Sequence, residues 1–230
     1  MCSANQPEIV GATLETPTQD QLNSWFYFPT AVYTIQKPEF LEPVKEVAVR
    51  HLKNAKKERK LDEIYPVYMT GNLLDEPSMQ GFSTYVSSTA WNILQGQGYD
   101  MTNFKTIFTE LWCQEHYKHS AMEQHTHGFG VQIVGFYFID VPDNSSRVVF
   151  HDPKAAKVQI GLPETNMNMV TAASNMINFE PKSGMLMFTN SWLAHSFTRH
   201  ASTKPIRFIH FNLAVQFTPP QVSIVPVEVV

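Results

Sequence analysis

The chain has 230 residues, 43% of them hydrophobic and only 17% charged, where an average domain has about 25% charged residues. This excludes a charge-rich disordered chain and a Glu/Lys coiled coil, and it suits one domain with a full core. The net charge of −4 argues against a general nucleic-acid-binding surface, which needs a basic excess.

Two cysteines, Cys2 and Cys113, are too few for a cysteine-built zinc site, and Cys2 sits at a terminus. A reducing, cytoplasmic setting is expected. The first residues carry neither a basic segment nor an apolar stretch, so no signal peptide is expected. No run approaches the roughly 18 apolar residues of a membrane span.

Residues 1–25 are polar, with Pro7 and Pro17, and read as a flexible leader. The first β-like patch is Trp25 to Thr34. A helix is predicted from Pro43, a proline suited to a first helical position. Val44, Val47, Ala48, His51 and Leu52 form one apolar stripe on it. Its end carries Lys53, Lys56, Lys57, Arg59 and Lys60, which suits the negative end of a helix dipole. The alternative is an anion-binding patch. A second helix is predicted over 82–95, with Gly96 and Gly98 to end it.

From Phe104 the pattern changes to strand-like runs at 104–117, 131–140, 147–150, 184–189 and 206–217, separated by turn residues. Helices followed by strands predict an α+β, mainly β fold with a barrel or double-sheet core. We expect a single domain over 26–217 and an extended tail over 218–230.

Of nine histidines, His51 lies on the first helix and the other eight fall between His116 and His210. His125-Thr126-His127 places two imidazoles on one strand face, about 6–7 Å apart at Cα, so both can reach one cation. The bland alternative is a pair of hydrogen-bonded structural histidines. His195 follows the β-like run 185–188 and supplies a third ring one β excursion later. Three protein ligands leave open positions on a metal, which is the plan of a catalytic site. Arg207, inside the run 205–211, is either ion-paired to a protein carboxylate or placed to bind a ligand carboxylate.

The ordered set His125-x-His127, Val134-Gly135-Phe136-Tyr137-Phe138, Phe150-His151-Asp152-Pro153, Trp192-Leu193-Ala194-His195 and Arg207-Phe208-Ile209-His210-Phe211-Asn212 resembles one family. It is similar to the 2-oxoglutarate/Fe(II)-dependent dioxygenases of bacteria and marine phages, distant relatives of prolyl 4-hydroxylases. The resemblance covers roughly residues 26–217 and implies a double-stranded β-helix (jelly roll) with N-terminal buttressing helices. It implies iron ligands at His125 and His195. His127 stands where the wider superfamily has a carboxylate, and Asp152 is the alternative third ligand. The resemblance places Arg207 on the distal carboxylate of 2-oxoglutarate, with Tyr117 and Tyr137 as further co-substrate contacts. Ile209 stands where many members have serine.

The implied activity is that of a hydroxylase-type oxidoreductase. With Fe(II), 2-oxoglutarate and O2 it would hydroxylate a small-molecule or peptidyl substrate and release succinate and CO2. Two other readings stay open: a cupin-type metal enzyme that does not use 2-oxoglutarate, and a non-catalytic binding protein on the same scaffold.

Overall fold

Val44, Val47, Ala48 and Leu52 are the buried stripe of helix α1 (Leu41–Glu58), as their spacing predicts, in the computed structural model, which describes residues 23–219. Helix α2 (Gln80–Gly96) buries Phe82, Val86, Ala90, Ile93 and Leu94. The chain divides into two units, Met1–Thr30 and Ala31–Val230. The described part of the first, residues 23–30, contains neither helix nor strand. The expected leader over 1–25 and tail over 218–230 lie largely outside the described residues.

Ten strands follow the start of the second unit: β1 (Val32–Gln36), β2 (Val67–Met69), β3 (Phe104–His116), β4 (Met122–His125) and β5 (Ile133–Asp140). The rest are β6 (Val148–His151), β7 (Met176–Phe179), β8 (Met185–Asn190), β9 (His195–Phe197) and β10 (Ile206–Phe217). The patch predicted at Trp25 to Thr34 yields strand only from Val32, where pairing with Thr189 of β8 begins. The short strands β2, β4, β7 and β9 had no clear alternation to announce them.

Two antiparallel sheets result, with orders β1-β8-β5-β10-β3-β2 and β4-β9-β6-β7. From β3 onward the chain crosses back and forth between them, with only β6 and β7 consecutive in one sheet. This is the predicted double-stranded β-helix.

The sheets enclose an aromatic core built from Phe136, Phe138, Phe150, Phe197 and Phe208 with Met187. Residues i and i+2 of a strand share a face, so the intervening residues of the larger sheet point the other way. There Tyr137, Ile209, Phe211 and Leu186 meet α1 and α2. Trp91 on α2 donates its indole N–H to the Phe104 carbonyl at 2.9 Å, pinning the helix to β3. Full burial of about 35 hydrophobic side chains across two layers explains why no disulfide is needed; Cys113 is buried and free. No helix among the described residues is long and apolar enough to cross a membrane.

Candidate metal centre

β4 ends at His125, which pairs with His195 at the start of β9, so the sheet register alone brings two distant imidazoles side by side. Their ring centroids are 4.6 Å apart. His127 lies two residues on, past the end of the strand, so the two imidazoles do not share a strand as expected. Its backbone N–H donates to the Ser191 carbonyl at 3.0 Å, which ties it to the segment before His195. The His127 and His195 rings stack at 5.2 Å with an interplanar angle of 10°. One ligand nitrogen from each of the three histidines lies within 4.8 Å of the others.

The remaining hydrogen bonds fix the tautomers. His125 Nδ1 donates to the Glu123 carbonyl at 2.8 Å, and His195 Nδ1 donates to the Leu193 carbonyl at 3.0 Å. Each bond leaves an Nε2 lone pair for a metal. His127 Nε2 lies 3.3 Å from His195 Nε2. Ligands at right angles on one ion, each about 2.1 Å from it, would be separated by about 3 Å, so this spacing fits a shared cation. Burial, reinforced by His125, pushes His127 down to about 4. Burial likewise brings His195 to about 4. Both rings are neutral at neutral pH, the state in which imidazole binds metal. The trio therefore fits a divalent transition ion.

Asp152 is not part of the cluster. Its carboxylate pairs with Lys157 Nζ at 2.5 Å and accepts the Lys154 N–H at 2.9 Å. This is the turn role expected of an aspartate before proline.

The structure does not bring Arg207, Tyr117 or Tyr137 to the histidines. On β10, Ile206, Phe208 and His210 face the interior between the sheets, and Arg207 faces the helices. Its guanidinium pairs with Glu115, and with Asp140 at 2.7 Å. Glu115, fully buried, also takes Lys56 Nζ at 2.6 Å and the Tyr117 hydroxyl at 2.5 Å. Burial alone would raise the Glu115 carboxyl, but these three partners hold it below the usual range. Asp140 completes the chain of charges with Lys45 at 2.5 Å. Lys56, part of the basic run at the end of α1, thus works in an internal ion network, not as a free surface charge. Tyr137 packs on Phe82 and donates its hydroxyl to the Lys37 carbonyl at 2.8 Å.

One residue absent from the sequence-based set reaches the cluster, and a second stacks on it. His210 is fully buried and stacks on His127 at 5.0 Å. Trp112, its pairing partner on β3, stacks on His210 at 4.3 Å. Trp112 also lines a cleft of about 340 Å³ with residues 69–72 and 109–111. The alternation of Ile206, Phe208 and His210 was the available signal, but it gains meaning only once the face is known.

Residues 110–212 match the family model described as "Putative 2OG-Fe(II) oxygenase". No curated protein matches the sequence. Among solved structures, AviO1 from Streptomyces viridochromogenes Tue57 is similar with a TM-score of 0.58 at 13% identity, over 83% of this chain and 92% of that one. An oxidoreductase of the 2OG-Fe(II) oxygenase family from Burkholderia pseudomallei gives 0.55 at 8% identity, over 80% and 84%. A prolyl-4-hydroxylase from Pseudomonas putida gives 0.54 at 9% identity, over 80% and 92%. At these identities the structural likeness speaks for the fold.

Proposed function

We propose that the chain, whose residues 110–212 match the model of the 2OG-Fe(II) oxygenases, holds iron on His125, His127 and His195 for hydroxylation of a C–H bond. The observation that carries this reading is the convergence of one ring nitrogen from each of the three histidines, with two of the rings aimed by backbone carbonyls. Fe(II) with 2-oxoglutarate and O2 supplies oxidative decarboxylation to succinate and CO2, coupled to oxidation of the substrate.

The residues of the chain do the positioning. The Glu123 and Leu193 carbonyls hold two imidazoles in the ligating tautomer. Phe136 and Phe150 pack their rings 5.6 Å and 6.0 Å from His195, which keeps water from the inner side of the site. The substrate is a small molecule or a peptidyl residue in a cytoplasmic setting.

The test is metal content and uncoupled turnover. One iron per chain and 2-oxoglutarate-dependent O2 uptake with succinate release are expected. O2 uptake that ignores 2-oxoglutarate would favour the cupin-type alternative, and a folded protein without metal would favour a binding role.

A further inference from the structure

Five buried side-chain polar atoms among the described residues have no hydrogen-bond partner, and three of them, Trp112 Nε1, His210 Nδ1 and Asn212 Oδ1, lie on the paired strands β3 and β10, where the His210 ring stacks on His127. Buried polar atoms without partners are uncommon in native proteins and ask for an occupant. Trp112 and His210 are directly paired across β3 and β10, and their rings are stacked at 4.3 Å with an angle of 28°. Paired and stacked, the two rings put their orphaned ring nitrogens on the same face of the sheet. His210, 1% exposed, stacks in turn on His127. Asn212 lies on the same face two residues on. Its Nδ2 donates to Glu110 at 2.5 Å, so its Oδ1 is an acceptor and takes no part in holding an anion.

Charge points to the same region. Three neutral imidazoles leave a ferrous ion with formal charge +2. A dianionic 2-oxo diacid would neutralise it without a further cation. The cation expected for that task, Arg207, is held on the opposite face by Glu115 and Asp140. A buried anion whose charge is already balanced needs only N–H donors to satisfy its oxygens.

We propose that the N–H groups of Trp112 and His210 form the subsite for the far carboxylate of 2-oxoglutarate, in place of a salt bridge. This rests on the oxygenase reading of the same site. It requires His210 in the Nδ1–H tautomer.

Anaerobic calorimetric titration of the Fe(II)-loaded protein tests it, after metal content has been checked by elemental analysis. The two probes are 2-oxoglutarate and 2-oxovalerate, a five-carbon 2-oxo acid without the far carboxylate. Trp112→Phe and His210→Phe keep the stacked rings and remove the donors. Each is expected to weaken 2-oxoglutarate about 10- to 100-fold, the scale of a hydrogen bond to a charged group. Binding of 2-oxovalerate and iron content should not change. Arg207→Lys should leave both acids unaffected.

If the wild-type protein, iron bound, takes no 2-oxoglutarate, the oxygenase reading itself fails. If it binds but both ring variants bind equally well, the orphaned atoms hold only water and the subsite is refuted. Equal weakening of both acids, or loss of iron, would mean that the rings act through the ligand shell, which also overturns it. Selective loss of 2-oxoglutarate in Arg207→Lys would return the role to Arg207.

Discussion

Arg207 and His210 stand three residues apart on β10 and serve opposite faces of one sheet. The guanidinium meets Glu115 and Asp140 beneath α1, and the imidazole stacks on His127 between the sheets. An odd separation along a strand has this consequence wherever both faces are covered. It divides the polar residues of the protein into two sets. Lys45, Lys56, Glu115, Asp140, Tyr117 and Arg207 tie α1 to the sheet, while His127, His195 and His210 stack with Trp112 between the sheets.

Arg207→Ala should therefore be a stability variant. It leaves Glu115, whose side chain is 0% exposed, with two partners instead of three, and strips Asp140 to Lys45 alone. Arg207 itself is 25% exposed, so solvent relaxation softens the loss. A cost of about 3 kcal/mol is expected, at the lower end for breaking a buried pair. Urea unfolding measures it. A midpoint equal to wild type would contradict the internal network.

Gly135 tests the packing of the helix-side core. A Cβ there would overlap the Met187 carbonyl oxygen and the edge of the Phe211 ring, which lies over the bare backbone. The carbonyl belongs to the β5·β8 ladder and cannot swing aside. Gly135→Ala should cost about 1–3 kcal/mol, the range for overpacked cores. A thermal melt unchanged from wild type would show that Phe211 moves freely.

The histidine trio was legible because its signal is local: two rings at i and i+2, and a third just after a strand. The two helices were legible from their apolar stripes. The placement of Arg207, Tyr117 and Tyr137 was not. Residues 206–213 are nearly all buried on both faces, so period-two alternation is erased from the composition. Assigning a side to Arg207 needs the register between β10 and its neighbours, and a slip of one residue reverses every side chain. The same blindness hid His210 and Trp112, whose meaning lies in the pairing of two strands about 100 residues apart. It also disguised Lys56, which looks like one more surface lysine until Glu115 is found beneath it.

His116 makes the stability of the metal-free protein pH-dependent. Burial, helped by His200, pushes its imidazole down to about 3, from an ordinary value near 6.5. Below pH 6.5 the unfolded chain takes up a proton that the folded chain refuses. Stability is therefore complete above about pH 6.5 and falls as pH drops toward 3, by up to about 1.4 kcal/mol per pH unit from this group. His116→Phe keeps the contacts with Phe197 and Phe208 and removes the titration. It also leaves the Gln114 amide without its 2.7 Å partner, a penalty that does not vary with pH. Unfolding midpoints at pH 7 and 4.5 should thus differ less in the variant than in wild type. Equal differences would show that His116 is protonated in the fold.

The choice of third metal ligand gives the most direct test of the site. His127 shares the cluster with His125 and His195, all three ligand nitrogens lying within 4.8 Å of one another. Its chain position is fixed by the bond to Ser191, so ordering it costs little on metal binding. Asp152 would have to leave Lys157 and the Lys154 N–H to serve in its place. A carboxylate would suit iron's affinity for oxygen and lower the charge of the site, but it would exchange a satisfied ion pair for that gain. His125→Ala, His127→Ala and His195→Ala should each lose iron by more than a hundredfold in affinity, beyond the 10- to 100-fold seen when a residue merely orients a ligand. Asp152→Ala should stay within that smaller range and lose some stability around residues 152–157. Elemental analysis after dialysis against graded chelator reads the order directly. Iron retained in His127→Ala and lost in Asp152→Ala would make the triad His125, Asp152 and His195, and would require residues 152–157 to rearrange when metal binds.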